Sequence, residues 1–376
     1  MPIRNLLILS ASVGAGHLRA AQAIELAARE VYPEAHIQNV DVLSLTNAAF
    51  RHLYGKAYLD LVNKAPHMLG YFYDLTDKPR RNGRADQFMH LLQKANLARL
   101  IDLLQETPWD AVINTHFLPA EIIASRKARH GLALPHVTVT TDFETHRLWV
   151  NQPCELFFTA TDEGAEYLHS FGIPRELMRV SGIPVHPAFS KLPARAECLK
   201  RHDLAGDRPI VLQLAGGFGV GPIQKVHETL LSLESGIELV TVCGKNKAVA
   251  EQLAEVPCPT RHRRHIVGFT DVMQEFMAAA DLVVTKPGGL TSSECLAAGA
   301  PMLIINPIPG QESRNADYLL EQGAAIKANN LATLAYKAQQ LLKAPARLQE
   351  LKRNARKIGH PKAAYDIIRE VGRRWG

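Results

Sequence analysis

The sequence predicts an α/β protein of two Rossmann-like, doubly wound domains facing each other across a cleft, and three observations carry that prediction. Short runs rich in Val, Ile and Leu alternate with longer segments of helical period, the pattern of parallel sheets covered on both faces. The alternation restarts at Pro209-Ile210-Val211-Leu212-Gln213-Leu214, which leads into a second glycine-rich loop. Between the halves, Gly182-Ile183-Pro184-Val185-His186-Pro187 is rich in proline and has no helical period. A length of 376 residues suits two domains, each with its own core.

Strands are expected at 6–10, 111–114, 136–141, 156–160, 210–214, 237–242, 265–268, 281–285 and 302–306. Helices are expected between them, among others at 17–30, 87–106, 271–279 and 313–322. This gives an N-terminal domain over 1–182, a linker over 183–187, a C-terminal domain over 188–345 and a basic helical tail over 346–376. One region breaks the alternation. Residues 47–84 carry Phe50, Tyr54, Tyr58, Tyr71, Phe72 and Tyr73, then Lys78, Arg80, Arg81 and Arg84 within seven residues. An apolar, aromatic segment followed by cations is suited to dip into an anionic bilayer surface; a core excursion ending in a solvated turn has the same composition.

Composition narrows the function classes. With 47% hydrophobic and 21% charged residues the chain is neither disordered nor a disulfide scaffold. No apolar run reaches the 18 residues of a spanning helix, and Leu6-Leu7-Ile8-Leu9 is too short for a signal-peptide core. Five cysteines without paired spacing suit reduced thiols, so a cytoplasmic protein is expected. The net charge of +6 is uneven: residues 335–376 hold eleven Lys and Arg against three Asp and Glu, leaving 32 against 34 elsewhere. A basic tail ending in Arg373-Arg374-Trp375 fits an anionic surface as well as a solvated helix face.

Three glycine-rich loops follow strands. Ser10-Ala11-Ser12-Val13-Gly14-Ala15-Gly16-His17 opens a helix after the first strand, where backbone N–H groups and the helix dipole favour an anion. It lacks the third small residue and the downstream acid of a dinucleotide fingerprint, which argues against an NAD enzyme. His17 stands at the edge where α/β folds place ligand chemistry, though a histidine there also serves as a helix cap. Ala215-Gly216-Gly217-Phe218-Gly219 repeats the arrangement in the second half. Lys286-Pro287-Gly288-Gly289-Leu290-Thr291-Ser292-Ser293-Glu294 offers amides for a diphosphate and a carboxylate for a ribose diol. Pro309-Gly310-Gln311-Glu312-Ser313-Arg314-Asn315 then displays amide and carboxylate groups suited to sugar hydroxyls. In this order the set fits a nucleotide-sugar diphosphate.

Gly14-Ala15-Gly16-His17, Thr141-Asp142-Phe143 with His146 and Trp149, Lys286-Pro287-Gly288-Gly289 with Glu294, and Pro309-Gly310-Gln311-Glu312 with Asn315 together resemble the monogalactosyldiacylglycerol synthase and diacylglycerol glucosyltransferase family, part of glycosyltransferase family 28. The resemblance spans both halves. It implies the GT-B fold with a C-terminal helix returning toward the N-terminal domain. It also implies a UDP-hexose in the C-terminal domain, diacylglycerol at the N-terminal domain, and inverting transfer at the inner face of the membrane without a metal ion or other cofactor. No acidic Asp-x-Asp pair stands beside the donor motifs, in keeping with that.

By the same resemblance Glu294 takes the ribose, Gln311 and Asn315 with Glu312 take the sugar, and Gly288, Gly289, Leu290 and Thr291 take the diphosphate. Gly217 joins the donor loops and Phe269 lines the uracil pocket. Gly14, Gly16, His146, Trp149, Arg80, Arg81 and Arg84 face the acceptor and membrane. His186 stands where muramyl-lipid N-acetylglucosaminyltransferases tend to carry an arginine, and their first loop has a further glycine before its histidine. For the acceptor proton, His17 is the expected base on its ordinary pKa near 6.5. Asp142 is the alternative, as base or as the group that orients one. Galactose and glucose are both open as donor sugars. A muramyl-lipid type transferase, a UDP-N-acetylglucosamine 2-epimerase and a nucleic-acid-binding module are the rival readings, the last leaving His17 and the Gln311/Asn315 display without a role.

Overall fold

The computed structural model describes residues 2–47, 98–214, 222–305 and 307–376. The aromatic and cationic segment, Arg80, Arg81, Arg84 and Gly217 lie outside the described residues. The chain divides into two compact units, Met1–Pro187 with Ile308–Gln311 and Lys362–Gly376, and Ala188–Pro307 with Glu312–Pro361.

In the first unit six parallel strands, β1 (Asn5–Ser10), β2 (His36–Asp41), β3 (Ala111–Asn114), β4 (His136–Val139), β5 (Leu156–Thr159) and β6 (Met178–Val180), lie in the order β2-β1-β3-β4-β5-β6. Its helices include α1 (Ala15–Val31), α2 (Ala98–Glu106), α3 (Phe117–His130) and α4 (Asp162–Ser170). Alternate residues of each strand feed opposite faces. Leu6, Ile8, Ile113 and Val137 pack with Ile24 and Ala27 of α1 on one face. Leu7, Leu9 and Val112 pack with Leu100 of α2 and Ile123 of α3 on the other. The chain order reverses between β1 and β3, and it is outside the carboxyl ends of such a pair that an open α/β sheet leaves a crevice.

The second unit repeats the plan with β7 (Ile210–Leu214), β8 (Glu238–Val242), β9 (Arg263–Val267), β10 (Leu282–Thr285), β11 (Met302–Ile305) and β12 (Ala325–Ala328), all parallel, in the order β12-β11-β10-β7-β8-β9. Its helices are α5 (Arg195–Arg201), α6 (Ile223–Leu231), α7 (Lys247–Glu255), α8 (Met273–Ala279), α9 (Gly289–Ala298), α10 (Gln311–Glu321), α11 (Leu331–Leu342) and α12 (Pro345–Ile358). Here the reversal falls between β7 and β10.

The three strands that the sequence pattern misses, β2, β6 and β12, are all sheet edges. An edge strand is less completely covered, so residues such as Gln38, Asn39, Arg179 and Lys327 interrupt its apolar run. The expected single basic tail divides. α12 stays with the second unit, while the last helix, α13 (Ala363–Trp375), buries Ala363, Ala364, Ile367, Ile368 and Val371 on the first. α13 crosses α1 so closely that a Cβ on Gly372 would lie 1.8 Å from the Tyr32 hydroxyl oxygen.

Candidate active site

In the first unit the crevice between β1 and β3 is occupied by His17. α1 begins at Ala15, with Gly14 as its N-cap, so His17 is the third helical residue rather than the first. It does not cap the helix. Its Nδ1 lies 3.0 Å from the Thr115 carbonyl oxygen and 2.9 Å from the Thr141 hydroxyl. A carbonyl only accepts, so Nδ1 carries the proton and Nε2 holds the lone pair. Thr115 follows β3 directly; its amide donates to Leu9 at 2.9 Å and its hydroxyl donates to the His17 carbonyl at 3.0 Å. Three loops, after β1, β3 and β4, thus fix one imidazole.

The His17 ring stands edge-on to His116 with centroids 4.6 Å apart, and 6.3 Å from the Trp149 ring. Burial among these rings pulls its pKa down to about 4, against the partial support of the Thr115 carbonyl. The expected value near 6.5 is therefore corrected: packing disfavours the imidazolium, and His17 is neutral throughout the physiological range. His116 is also held well below its ordinary range, by burial and by the neighbouring His17. Its Nδ1 accepts from the Leu118 amide at 3.0 Å, capping α3.

The orienting partners of His17 are Thr115 and Thr141. Asp142, expected as a second base or an orienting carboxylate, is the next residue along the loop and is not among its hydrogen-bond partners. That loop is anchored from below, with Thr161 Oγ1 donating to the Phe143 carbonyl at 2.9 Å and Gly164 leaving only 2.6 Å between a Cβ and Thr145 Oγ1. His146 is buried and accepts from the Leu148 amide through Nδ1 at 3.1 Å. Trp149 is buried at 3% exposure among Cys154, Phe157, Leu168 and Ile173. Neither side chain is presented as a membrane-facing group; Trp149 is a core residue whose ring also walls His17. Among the described residues nothing lies within 4 Å of a Cβ built on Gly14, and its backbone is extended, so neither their packing nor strain requires a glycine there.

In the second unit the two motifs expected to hold the donor follow adjacent strands, β10 and β11. Gly288 is the N-cap of α9 after β10, and among the described residues a Cβ on it would meet only Glu312 Oε1, at 3.9 Å. The starts of α9 and α10 therefore lie side by side. The Ser292 amide donates to the Gly288 carbonyl at 2.9 Å, and Gly289, Leu290 and Thr291 before it form the helix start; the N–H groups of such a start suit phosphates. Glu294 is buried at 5% exposure, and its charge helps push the adjacent Cys295 thiol upward, after the larger effect of burial. Leu290 is buried and Thr291 is half-buried. Gln311 and Glu312 are half-buried, whereas Asn315 is fully buried rather than displayed as expected, because it lies on the face of α10 that packs inward with Ala316 and Leu319. Phe269 follows β9 and is 53% exposed, with Lys245 Nζ 5.3 Å from its ring centroid. His186 is exposed.

Thr115, Thr141 and His116 complete the first site, and residue patterning had singled out only Thr141, as part of a motif. Asn114-Thr115-His116 closing a buried strand was the available signal.

Residues 17–185 match the model of the monogalactosyldiacylglycerol synthase family, and residues 223–370 match the glycosyltransferase family 28 C-terminal domain. The chain belongs to glycosyltransferase family 28. It is similar to the processive diacylglycerol beta-glucosyltransferase of Bacillus subtilis strain 168, at 27% identity over 98% of this chain and 94% of that protein. Its likeness to the enzyme of the same name from Bacillus mycoides strain KBAB4 is 29%, over 97% and 92%. Solved structures share the fold at 15% identity. They include Acinetobacter baumannii MurG (TM-score 0.60, covering 98% of this chain and 99% of that one) and Anabaena HepE with UDP-glucose (0.56, 98% and 97%). Staphylococcus aureus MnaA with UDP reaches a TM-score of 0.63 over 98% and 96%. The fold is GT-B, as the family resemblance implies, and its two Rossmann-like domains are those that the alternation of elements and the restart at 210 predict.

Proposed function

We propose that this family 28 transferase moves a hexose from a UDP-sugar to the free hydroxyl of diacylglycerol, inverting the anomeric centre and making a glycosyl-diacylglycerol. The reading is carried by the full-length similarity to diacylglycerol beta-glucosyltransferases, over 98% of the chain. Glucose is accordingly the first donor to test. His17 Nε2 takes the acceptor proton as the acceptor oxygen attacks C1; the C1–O bond to the diphosphate breaks on the opposite face and UDP leaves with the electron pair. A base held neutral by burial is ready at every pH above about 5, at the expense of intrinsic basicity. General-base assistance supplies about 10²–10⁴ in rate. Much of the remainder falls to the α9 amides at the leaving diphosphate. Glu294 holds the ribose, Gln311, Glu312 and Asn315 the sugar, and Phe269 stacks beside the uracil.

No described helix is long and apolar enough to cross a membrane. Work at a bilayer would then be peripheral, with the cationic 78–84 segment and the basic last helix on the inner leaflet. The test offers UDP-glucose, UDP-galactose and UDP-N-acetylglucosamine separately to purified protein with diacylglycerol vesicles, reading lipid products by mass. A glucosyl-diacylglycerol is expected. Absence of any glycosylated diacylglycerol would overturn the acceptor, and conversion of UDP-N-acetylglucosamine alone would favour the epimerases that share the fold.

A further inference from the structure

At the amino-terminal edge of the first sheet, the end of α13 meets the segments that lead into β5 and β6 around an open cleft of about 610 Å³. Arg373, Arg374 and Trp375 line it from the helix, and Pro153 and Glu155 from the other side. His17 stands at the opposite, carboxyl-terminal edge, so this cleft is not part of the reaction site.

Its charge is unusual. Three guanidinium groups share a single carboxylate: Arg373 binds Glu370 through Nε and Nη2 at 2.7 and 2.8 Å, Arg374 through Nε at 2.9 Å, and Arg179 Nε lies 3.5 Å away. The arginines hold Glu370 at a pKa of about 2, so it stays ionised and the group keeps two surplus positive charges. Glu155 is neutralised separately by an ion pair with Lys127. The Arg374 side chain is only 22% exposed, yet Nε is its one nitrogen with a protein partner among the described residues. Its two terminal nitrogens leave four N–H donors in the forked geometry that matches a pair of phosphate oxygens. The wall opposite is fixed, since Asn114 Nδ2 donates to His136 Nδ1 at 3.3 Å and His136 Nε2 donates to the Pro153 carbonyl at 2.6 Å.

We propose that this cleft binds a phosphate monoester or diester, with Arg374 as the forked contact, Arg373 adding charge and Trp375 covering the ligand's apolar side. The proposal does not rest on the acceptor assignment, because it concerns binding alone. A soluble organic phosphate and a phospholipid headgroup present the same chemistry, and the experiment separates them.

Full-length protein is titrated with inorganic phosphate and with glycerol 3-phosphate. In parallel it is sedimented with phosphatidylglycerol and with phosphatidylcholine vesicles. Indole emission is followed throughout, and Trp375→Phe gives the background from Trp109 and Trp149. A saturable signal that disappears in Trp375→Phe is expected, in the soluble arm for a free phosphate or with phosphatidylglycerol alone for a headgroup. Arg374→Gln should weaken it about tenfold or more, the loss of a charge-assisted contact. Arg373→Gln, at an exposed position, should weaken it a few-fold and serves where Arg374→Gln unfolds, as melting curves will report. Glu370→Gln removes the competing carboxylate and should tighten binding, whereas a purely structural cluster would lose it. No saturable Trp375 signal in either arm, or binding unaltered by both arginine variants, would overturn the proposal.

Discussion

Both units place their loops at the carboxyl edge beside the strand pair where chain order reverses, yet they fill that place with different chemistry. In the first unit the contents are side chains: His17 held by Thr115 and Thr141, with His116 and Trp149 around it. In the second they are backbone amides at the start of α9, with the buried Glu294 behind them. Moving a proton requires one nitrogen in one place, which takes several loops to fix. Holding a diphosphate requires several weak donors on one side, which a helix start supplies by itself. The division predicts that chemistry and donor affinity come apart on mutation.

The largest separation is expected for His17→Ala. Turnover should fall by about 10²–10⁴, roughly 3–5 kcal/mol, while the Kd for UDP measured by calorimetry stays as it is. As the proposed base His17 works in its neutral form, and burial holds its pKa down to about 4. Activity should therefore rise with pH through about 4 and show no His17 limb near 6.5; a limb there in kcat/KM would mean that the ring is more open to water in the working enzyme. Glu294→Ala should do the converse. Loss of the proposed charged contact to the ribose should weaken UDP about 10- to 100-fold, with the pH profile unmoved. Equal losses of turnover and UDP affinity in both variants would erase the division between the units.

A third variant asks whether the units are also separate in stability. Gly372→Ala forces a methyl group into the Tyr32 hydroxyl where α13 crosses α1. Overpacking of that kind costs about 1–3 kcal/mol. The melting temperature should fall, with UDP affinity at room temperature retained because α13 packs on the first unit. Loss of UDP binding would show that the second unit depends on that helix.

The contrast also explains what could be read from the sequence. Gly288-Gly289 before a helix, and the buried runs of β1, β7 and β10, are local patterns, so the two sheets and the start of α9 were legible. β2, β6 and β12 were not, since edge strands mix polar and apolar residues. The surroundings of His17 were half legible. Its glycines mark the loop, but Thr115 lies 98 positions away and Thr141 lies 124 away, joined only by the β1-β3-β4 pairing. For the same reason its pKa had to be assumed at the ordinary value until the packing of His116 and Trp149 was known. The reach of α13 was likewise hidden, because a glycine within a helix reads as a weak point until Tyr32 is found against it.

The smallest effect is also the most specific. Thr141→Val removes the second partner of His17 Nδ1 and leaves the Thr115 carbonyl in place. One neutral hydrogen bond is worth about 0.5–1.5 kcal/mol, so turnover should drop roughly three- to tenfold with KM for the donor unaltered. Thr141→Ser restores the hydroxyl without the methyl and should recover most of the loss, which a packing role would not allow. Asp142→Asn is the necessary comparison. If it lowers turnover further than Thr141→Val and shifts the acid limb, the carboxylate rather than the hydroxyl governs His17 during the reaction. If only Thr141→Val acts, the proposed base is oriented by neutral groups alone, in keeping with an imidazole that burial already holds uncharged.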